Sequence, residues 1–357
     1  MWPYWLMFLV PAVVALANTR MQADHPDEEP RFNLHKAWGA LVVVLTLLIG
    51  YRYEVGGDWF SYLDSLNRFY YSSIDQVFLT KDPGYGLLEW LCVQNGWGIY
   101  GVNLIGAFIF SCGLIVFCGN LPRPWLAVAV AMPYLVTVVA MGYTRQSIAI
   151  GLAMLGLVAL GRQVVWKFVV WVFLGATFHN SAVLLLPIAA LAATRKRLWT
   201  AVWVTVIVAG AYLLFLEQSV EILYAGYIEA EYRSQGALLR LLMNAIPAAI
   251  LLIWWREIEM TLSQKWLWLW FALISLVLLA VYFLTPASTA VDRIALYMIP
   301  LQLAVFAYVP EVFGVHEGRN ALFTAIVLLY YAAVLFVWLN FATHAQYWLP
   351  YQNWLWL

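Results

Sequence analysis

Eight charged residues flank the apolar segments of this sequence and are of types that support group-transfer chemistry. They are Arg52, Glu54, Asp58, Arg145, His179, Arg240, Asp292 and Arg293. Charges within or beside membrane helices are costly, so they usually face a cavity, a partner or an interface. Arginine binds anionic oxygens with bidentate hydrogen bonds, and a carboxylate or an imidazole acts as a general base. For any one of them alone, a charge that reaches out to water is an equally good interpretation.

The densest group follows the second apolar run and reads Arg52-Tyr53-Glu54-Val55-Gly56-Gly57-Asp58-Trp59-Phe60-Ser61-Tyr62. Its two adjacent glycines permit a tight turn or a close backbone approach. An arginine and two carboxylates therefore lie within a short reach of the bilayer. A helix terminus followed by a turn is the structural alternative.

A second segment, Gly142-Tyr143-Thr144-Arg145-Gln146-Ser147, begins an apolar helix. Thr144 is a candidate cap of that helix. The helix dipole disfavours a cation at an N-terminus, so an anionic ligand explains Arg145 better.

Three shorter polar segments have structural interpretations. The apolar run from residue 164 to 193 is too long for one span and is predicted to divide at His179, with Asn180 or Ser181 as the cap of the second helix. The segment Asp82-Pro83-Gly84-Tyr85 has the composition of a turn. Asp292 and Arg293 suggest a local ion pair, with Tyr297 extending the polar surface by one turn.

Composition indicates a membrane protein. Of 357 residues, 64% are hydrophobic and 11% are charged, against about 25% charged in a soluble domain. The formal net charge is zero, which argues against nucleic acid as a partner. The three cysteines lie in apolar surroundings and suggest neither a disulfide framework nor a metal site.

The apolar runs predict an all-α polytopic protein with about twelve transmembrane helices, roughly ten to fourteen, in a single domain over residues 1–357. The predicted helices cover 2–17, 37–51, 99–119, 125–141, 146–161, 165–178, 180–194, 198–216, 237–255, 266–284, 293–310 and 321–340.

Basic residues give the orientation of the predicted bundle. The cluster Arg195-Lys196-Arg197 marks the cytoplasmic side, which places the eight charged residues at the outer face. Residues 52–98 then form a periplasmic segment with an interfacial helix, and residues 217–236 a second periplasmic loop. The aromatic segment 341–357 is predicted to lie at the membrane interface.

Several of these segments, taken in order, resemble the EpsG family of Wzy-type bacterial polysaccharide polymerases. The resemblance rests on Arg52, Gly57-Asp58 and Tyr62, then Asp82-Pro83-Gly84-Tyr85, Arg145-Gln146 and His179-Asn180-Ser181-Ala182. Asp82 departs from the glutamate expected before Pro-Gly-Tyr and keeps the carboxylate. After residue 182 the match is mainly one of hydropathy and of a late arginine, Arg293.

The resemblance implies a GT-C-like membrane glycosyltransferase bundle with a cavity that faces the periplasm of a bacterial inner membrane. Its substrate would be an oligosaccharide on undecaprenyl diphosphate, and its partners membrane lipid, a flippase and a chain-length-determining protein. The diphosphate would be bound by Arg52, Arg145, Arg293 and Arg240. The base would be Asp58 or His179, with Glu54 nearby, and the sugar would contact Trp59, Tyr62, Tyr85 and Gln146.

Three other functions remain open. An O-antigen-type ligase would use the same donor with a different acceptor, a membrane O-acyltransferase would use a membrane histidine, and a transporter or flippase would move lipid-linked sugars. The sequence contains no Gly-rich phosphate loop, no Asp-x-Asp pair and no zinc-ligand spacing. We therefore expect no cofactor and no metal.

Overall fold

A computed structural model of the protein describes residues 1–18, 36–78, 80–192, 197–211, 236–285, 288–314 and 320–357. This part of the chain is almost entirely helical, which confirms the all-α prediction there. Its first half contains α1 (Trp2–Ala17), α2 (Lys36–Gly50), α3 (Trp59–Asn67), α4 (Ile74–Val77), α5 (Pro83–Gln94), α6 (Gly98–Gly119), α7 (Pro124–Ala131) and α8 (Thr144–Gly161). Its second half contains α9 (Val165–Phe178), α10 (Leu186–Ala192), α11 (Arg197–Ala211), α12 (Ala237–Ile253), α13 (Leu262–Leu284), α14 (Ser288–Ala295), α15 (Pro300–Gly314) and α16 (Asn320–Phe341).

Four of the described helices, α6, α8, α13 and α16, are long and apolar enough to cross a membrane. A fifth span arises if α14 and α15, which are bent by 46° at a short break, are counted as one. The described residues also contain seven shorter apolar helices, besides α3, α4 and α5. Each predicted apolar segment corresponds to one of these elements, but how many of the shorter helices cross the bilayer stays a prediction.

Two features used to predict the topology lie outside the described residues. Of the predicted loop 217–236, only Gly236 is described. Of the basic cluster Arg195-Lys196-Arg197, only the backbone of Arg197 is described. The orientation of the bundle therefore stays a prediction.

The centre of the bundle is a continuous helix in which α7 passes into the π-helical segment Met132–Ala140. Every residue of this π-helical segment is buried, as expected for a helix that is apolar on all sides. Pro133 cannot donate a backbone hydrogen bond, which favours the wider turn. The segment α7 contacts α1, α6, α15 and α16, so the bundle is arranged around it.

The long apolar run breaks at His179, as predicted. α9 ends at Phe178, His179 is extended (φ −153°, ψ 108°), and a 3₁₀ segment, Asn180–Leu185, leads into α10. The predicted cap was wrong, because the cap position of this segment is His179 and not Asn180 or Ser181, and the His179 side chain makes no capping hydrogen bond. The first N–H group of the segment, that of Asn180, instead donates to Oδ1 of Asp82 at 3.1 Å. The cap therefore comes from a residue almost a hundred positions earlier in the chain, just before α5.

The C-terminal segment pairs with the loop that follows α2. The N–H groups of Tyr53, Gly56 and Trp354 donate to the carbonyls of Gln352, Tyr347 and Tyr51, at 3.0, 2.9 and 2.8 Å respectively. The indole of Trp348 donates to the carbonyl of Thr137 in the π-helical segment at 2.7 Å. Trp348 is buried, whereas residues 354–357 are exposed. Interfacial contact of that exposed end stays a prediction.

Arg52 joins the C-terminal end of α2 to two other helices. Its guanidinium donates to the carbonyls of Ile49 (2.6 Å) and Val55 (3.2 Å). It also donates to Asn103 of α6 at 3.1 Å and to Thr144 of α8 at 2.7 Å. The residue is 1% exposed. Arg52 therefore stabilises the fold at the end of the bundle that carries the candidate site.

Replacing Arg52 with alanine should lower the apparent unfolding temperature of the detergent-solubilised protein by several degrees. Four buried oxygens would lose a donor, at about 1–3 kcal/mol for each that stays unsatisfied. The measurement is a thermal unfolding curve, with Arg256→Ala as the matched control because Arg256 is exposed. Equal unfolding temperatures for the two variants would contradict this role.

Candidate active site

Arg145 occupies the first turn of α8 and is held from three sides. Its Nη1 lies 3.5 Å from Oδ2 of Asp82 and its Nη2 lies 3.4 Å from Oγ of Ser65. The guanidinium carbon lies 4.8 Å from the ring centre of Tyr85 and 5.7 Å from that of Tyr62, within cation–π range. The side chain is still 31% exposed. Arg145 is therefore oriented by the protein and remains accessible to a ligand.

Asp82 connects Arg145 to the helix break. One oxygen accepts from the N–H of Asn180 and the other faces Arg145. Burial raises the pKa of this carboxyl group, and Arg145 and the Asn180 N–H oppose that rise. Pro83 starts α5, where a missing N–H is tolerated. Asp82 is therefore held beside both an arginine and a helix break.

Gly84 allows α5 to contact the end of α9. A Cβ atom at this position would lie 2.3 Å from Oγ1 of Thr177 and 3.1 Å from its carbonyl carbon. No other residue type fits without a shift of one helix. This close approach brings Asp82 within hydrogen-bonding distance of Asn180.

Asp58 immediately precedes α3, and its side chain makes no capping hydrogen bond there. The preceding turn requires glycine, because Gly56 has φ +110° and a Cβ would lie 2.4 Å from the carbonyl oxygen of Met141. Burial raises the pKa of Asp58, while Arg293 and Arg145 both act to lower it. Both arginines are thus close enough to Asp58 to influence its charge.

Arg293 lies in the last turn of α14, and its guanidinium carbon is 4.7 Å from the ring centre of Tyr143. The side chain of Gln146 donates to the backbone carbonyl of Arg293 at 2.8 Å. This bond ties α14 to the start of α8, two positions after Thr144. The second half of the chain therefore contributes to the same site.

The local ion pair suggested for Asp292 and Arg293 was wrong. Asp292 instead receives two hydrogen bonds from Arg240 of α12, each 2.5 Å long. Neighbouring residues on a helix point about 100° apart, so they do not face each other. Arg240 and Asp292 join α12 to α14.

His179 is oriented through one ring nitrogen. Its Nδ1 lies 2.6 Å from Oγ of Ser181 and 3.4 Å from the hydroxyl of Tyr297. Those two hydroxyl oxygens are 3.3 Å apart. The three side chains form a polar cluster between the helix break and the turn after α14.

The sequence was compared with known protein families, with individual proteins and with solved structures. A family model described as the EpsG family matches residues 36–353. The chain belongs to the EpsG family. No curated protein and no solved structure showed a match. The match extends well past residue 182 and includes α14 and most of the C-terminal segment.

Members of the EpsG family are Wzy-type polysaccharide polymerases. Membership implies a polymerase-like, glycosyltransferase-type activity on a lipid-linked oligosaccharide. The apolar helices agree with a multi-pass membrane protein.

The site of this EpsG-family protein contains some of the predicted residues and not others. Asp58, Arg145 and Arg293 share one region, and His179 lies beside it, since Arg293 and Arg145 both act on the ring electrostatically. Arg52 is buried and donates to Asn103 and Thr144, and Arg240 is paired with Asp292. Glu54 is exposed and has a backbone φ of +51°. Among the described residues, its side chain forms no hydrogen bond with Asp58.

The four predicted sugar-binding side chains each contact an arginine. The rings of Tyr62 and Tyr85 lie against the guanidinium of Arg145. The ring centre of Trp59 lies 5.8 Å from the guanidinium carbon of Arg52. The side chain of Gln146 donates to the backbone carbonyl of Arg293. All four are buried, so their contact with sugar stays a prediction.

Sequence reasoning missed several members of the site. The local sequence around Asp82 predicts a turn, and Ser181 is predicted only as a helix cap. Ser65 and Glu89 carried no local signal, because neither belongs to a motif. Only the packing of α3, α5 and α8 reveals them.

Substituting Gly84 with alanine should disrupt the site. The added methyl group would push α5 away from α9, break the Asp82–Asn180 bond and lower both the unfolding temperature and the polymerase activity. Gly39→Ala in α2 is the matched control, because a Cβ there meets nothing within 4 Å. If Gly84→Ala kept full stability and activity, the close approach would not position Asp82.

Proposed function

We propose that this EpsG-family protein polymerises oligosaccharide repeat units carried on undecaprenyl diphosphate, at the periplasmic face of the bacterial inner membrane. The observation that carries the proposal is that Asp58 lies within electrostatic range of two arginines from different helices, Arg145 and Arg293. This end of the bundle contains a carboxylate that makes no hydrogen bond within the described residues, and a positive field beside it. Glycosyl transfer from a lipid diphosphate needs a carboxylate to accept the proton of the acceptor hydroxyl and positive charge to stabilise the leaving diphosphate.

The leaving group of this reaction is a lipid diphosphate, which gains negative charge as its bond to the sugar breaks. Preorganised arginines stabilise such charge most effectively in a site that excludes water. Arg145 and Arg293 are preorganised, because each guanidinium lies over a tyrosine ring that fixes its direction. We assign the diphosphate to these two residues and give Arg52 and Arg240 structural roles.

The acceptor is a hydroxyl group on the sugar of the next lipid-linked unit. Its oxygen attacks the anomeric carbon of the growing chain and forms the new glycosidic bond. The bond from that carbon to the diphosphate breaks, and its electron pair leaves with the diphosphate. Asp58 accepts the hydroxyl proton. Each cycle thus lengthens the chain by one unit and releases one lipid diphosphate.

His179 is the second basic group and is assigned to the acceptor sugar. Both hydrogen bonds described for its ring involve Nδ1. Nε2 is then the nitrogen that we assign to a sugar hydroxyl. A flippase that delivers units and a chain-length-determining protein are the partners that this activity requires.

The test of the proposed function uses purified protein in nanodiscs with its lipid-linked repeat units, followed by gel analysis of glycan length. A ladder of products without nucleotide sugar, and in the presence of a chelator, supports the polymerase. A single transfer to a non-repeat acceptor would instead indicate a ligase. Unchanged donor, with folded protein, would overturn the proposal.

Asp58→Asn should reduce the rate of polymerisation by a factor on the order of 10² to 10⁴, the usual contribution of a general base. His179→Ala should reduce it less, and Asp64→Asn, on the exposed side of α3, is the matched control. The measurement is the initial rate of ladder formation at saturating donor. Full activity of Asp58→Asn would remove Asp58 as the base.

The rate at saturating donor should fall as pH falls through the pKa of Asp58, because the base must be ionised. Burial raises that pKa, so the acidic limb should lie above the usual carboxylate range of about 4. A pH–rate profile measures this limb. A rate that stayed constant down to pH of about 4 would contradict the assignment.

Arg145→Ala should weaken binding of the lipid-linked donor by at least about tenfold, since it removes a charge-assisted contact. Arg68→Ala, an exposed arginine at the end of α3, serves as the control. Unchanged affinity of Arg145→Ala, measured in nanodiscs, would show that the diphosphate binds elsewhere.

A further inference from the structure

Glu89 is a buried acid on α5 that the proposed reaction does not use. It is 2% exposed and lies one helical turn after Tyr85. Its Oε2 accepts a hydrogen bond from the hydroxyl of Ser65 at 3.0 Å. Its Oε1 is buried and has no hydrogen-bond partner within the described residues.

Ser65 connects this acid to the candidate diphosphate site. Its single hydroxyl proton points to Glu89, so its oxygen lone pairs are available to Arg145, whose Nη2 lies 3.4 Å away. A serine without Glu89 could turn its proton toward the guanidinium instead. Glu89 therefore sets the direction of the hydroxyl that contacts Arg145.

The surroundings of Glu89 favour its neutral form. In the part of the chain that the structure describes it forms no ion pair, and one hydrogen bond from a neutral hydroxyl does not replace the lost hydration of a carboxylate. Burial raises the pKa of Glu89 to about 7, although Arg145, the bond from Ser65 and Arg68 act to lower it. The negative charge of Asp82 acts in the same direction as burial and raises the pKa of Glu89.

The other titratable groups that interact with Glu89 lie on α5, on α8, at the end of α3 and just before α5. On its own helix, burial raises the pKa of Cys92 to about 11 and that of Tyr85 well above its usual value. Arg145 and Arg68 are the cations that act on Glu89, and a guanidinium does not lose its proton in proteins. Asp82 is the remaining acid beside Arg145, and burial raises its pKa while Arg145 acts to lower it.

We propose that Glu89 is a positioning residue of the diphosphate site and acts in its neutral form, directing Ser65 toward Arg145 without cancelling the charge of the guanidinium. The inference rests on the proposed function, because it requires a lipid diphosphate to bind at Arg145. It adds a pH dependence to that binding. A charged Glu89 would place a second carboxylate, besides Asp82, behind the arginine that meets the diphosphate.

Thermodynamic linkage gives the sign of the effect. A bound anion near Arg145 favours the protonated form of Glu89, so by reciprocity protonated Glu89 favours the bound anion. Glu89 is protonated below its pKa and ionised above it. Binding should therefore be tight below pH 7 and should weaken as pH rises through that value.

The experiment measures the affinity of the full-length protein in nanodiscs for a lipid-diphosphate-linked sugar between pH 6 and 8.5. The two phosphates of this probe carry one charge each throughout that range, so the probe itself does not titrate. The dissociation constant of the natural protein should rise about five- to tenfold across the range, from repulsion of one added charge a few ångströms behind Arg145. Glu89→Gln, neutral and of equal size, should bind as tightly at pH 6 and show no rise.

Two further variants separate positioning from general structure. Ser65→Ala should weaken binding at pH 6 by a few-fold, because Arg145 loses the contact that Glu89 directs. Glu259→Gln changes an exposed glutamate and should leave the pH profile unchanged. Thermal unfolding of each variant shows whether the protein is folded.

Three results would overturn the role of Glu89. They are a pH-independent affinity of the natural protein, a Glu89→Gln variant that keeps the natural pH dependence, and a folded Glu89→Gln variant that has lost binding at pH 6. The first needs no variant, so it holds even where Glu89→Gln fails to fold. Failure of the proposed function looks different, because the natural protein would then bind the probe at no pH.

Discussion

A helix that breaks among other apolar helices leaves backbone N–H groups that must find partners inside the protein, and this requirement organises the candidate site. At the break after α9, the carboxylate of Asp82 provides such a partner, because it accepts a hydrogen bond from the N–H of Asn180. Asp82 can do so only because Gly84 lets α5 approach Thr177. The same carboxylate then faces Arg145, so one residue satisfies the helix break and orients the arginine.

The arginines at this end of the bundle differ in whether their N–H groups already have acceptors within the protein. Arg52 is buried and donates to four oxygens from three parts of the fold, and Arg240 is held by both oxygens of Asp292. Arg145 is partly exposed, and its Nε has no hydrogen-bond partner among the described residues. A guanidinium whose donors are satisfied by the protein stabilises the fold, whereas one with capacity to spare can bind an anion.

The aromatic residues near the site hold arginines in place. Tyr85 and Tyr62 lie against Arg145, and Tyr143 lies against Arg293. Cation–π contacts of this kind orient a guanidinium without neutralising it, unlike a second carboxylate. A neutral Glu89 behind Ser65 follows the same principle. The surroundings of Arg145 thus fix its direction while its positive charge remains available.

The sequence alone determined the helical class, the positions of the apolar segments, the break at His179 and the polar residues that gather at one end, because hydropathy and turn chemistry are local. It also carried enough of the family motif to indicate the EpsG family. Tertiary structure alone decided which arginine is accessible, which residue caps the broken helix, and that Asp292 pairs with Arg240. It also brought Ser65 and Glu89 to Arg145. Those outcomes depend on contacts between residues tens of positions apart, which local periodicity does not encode.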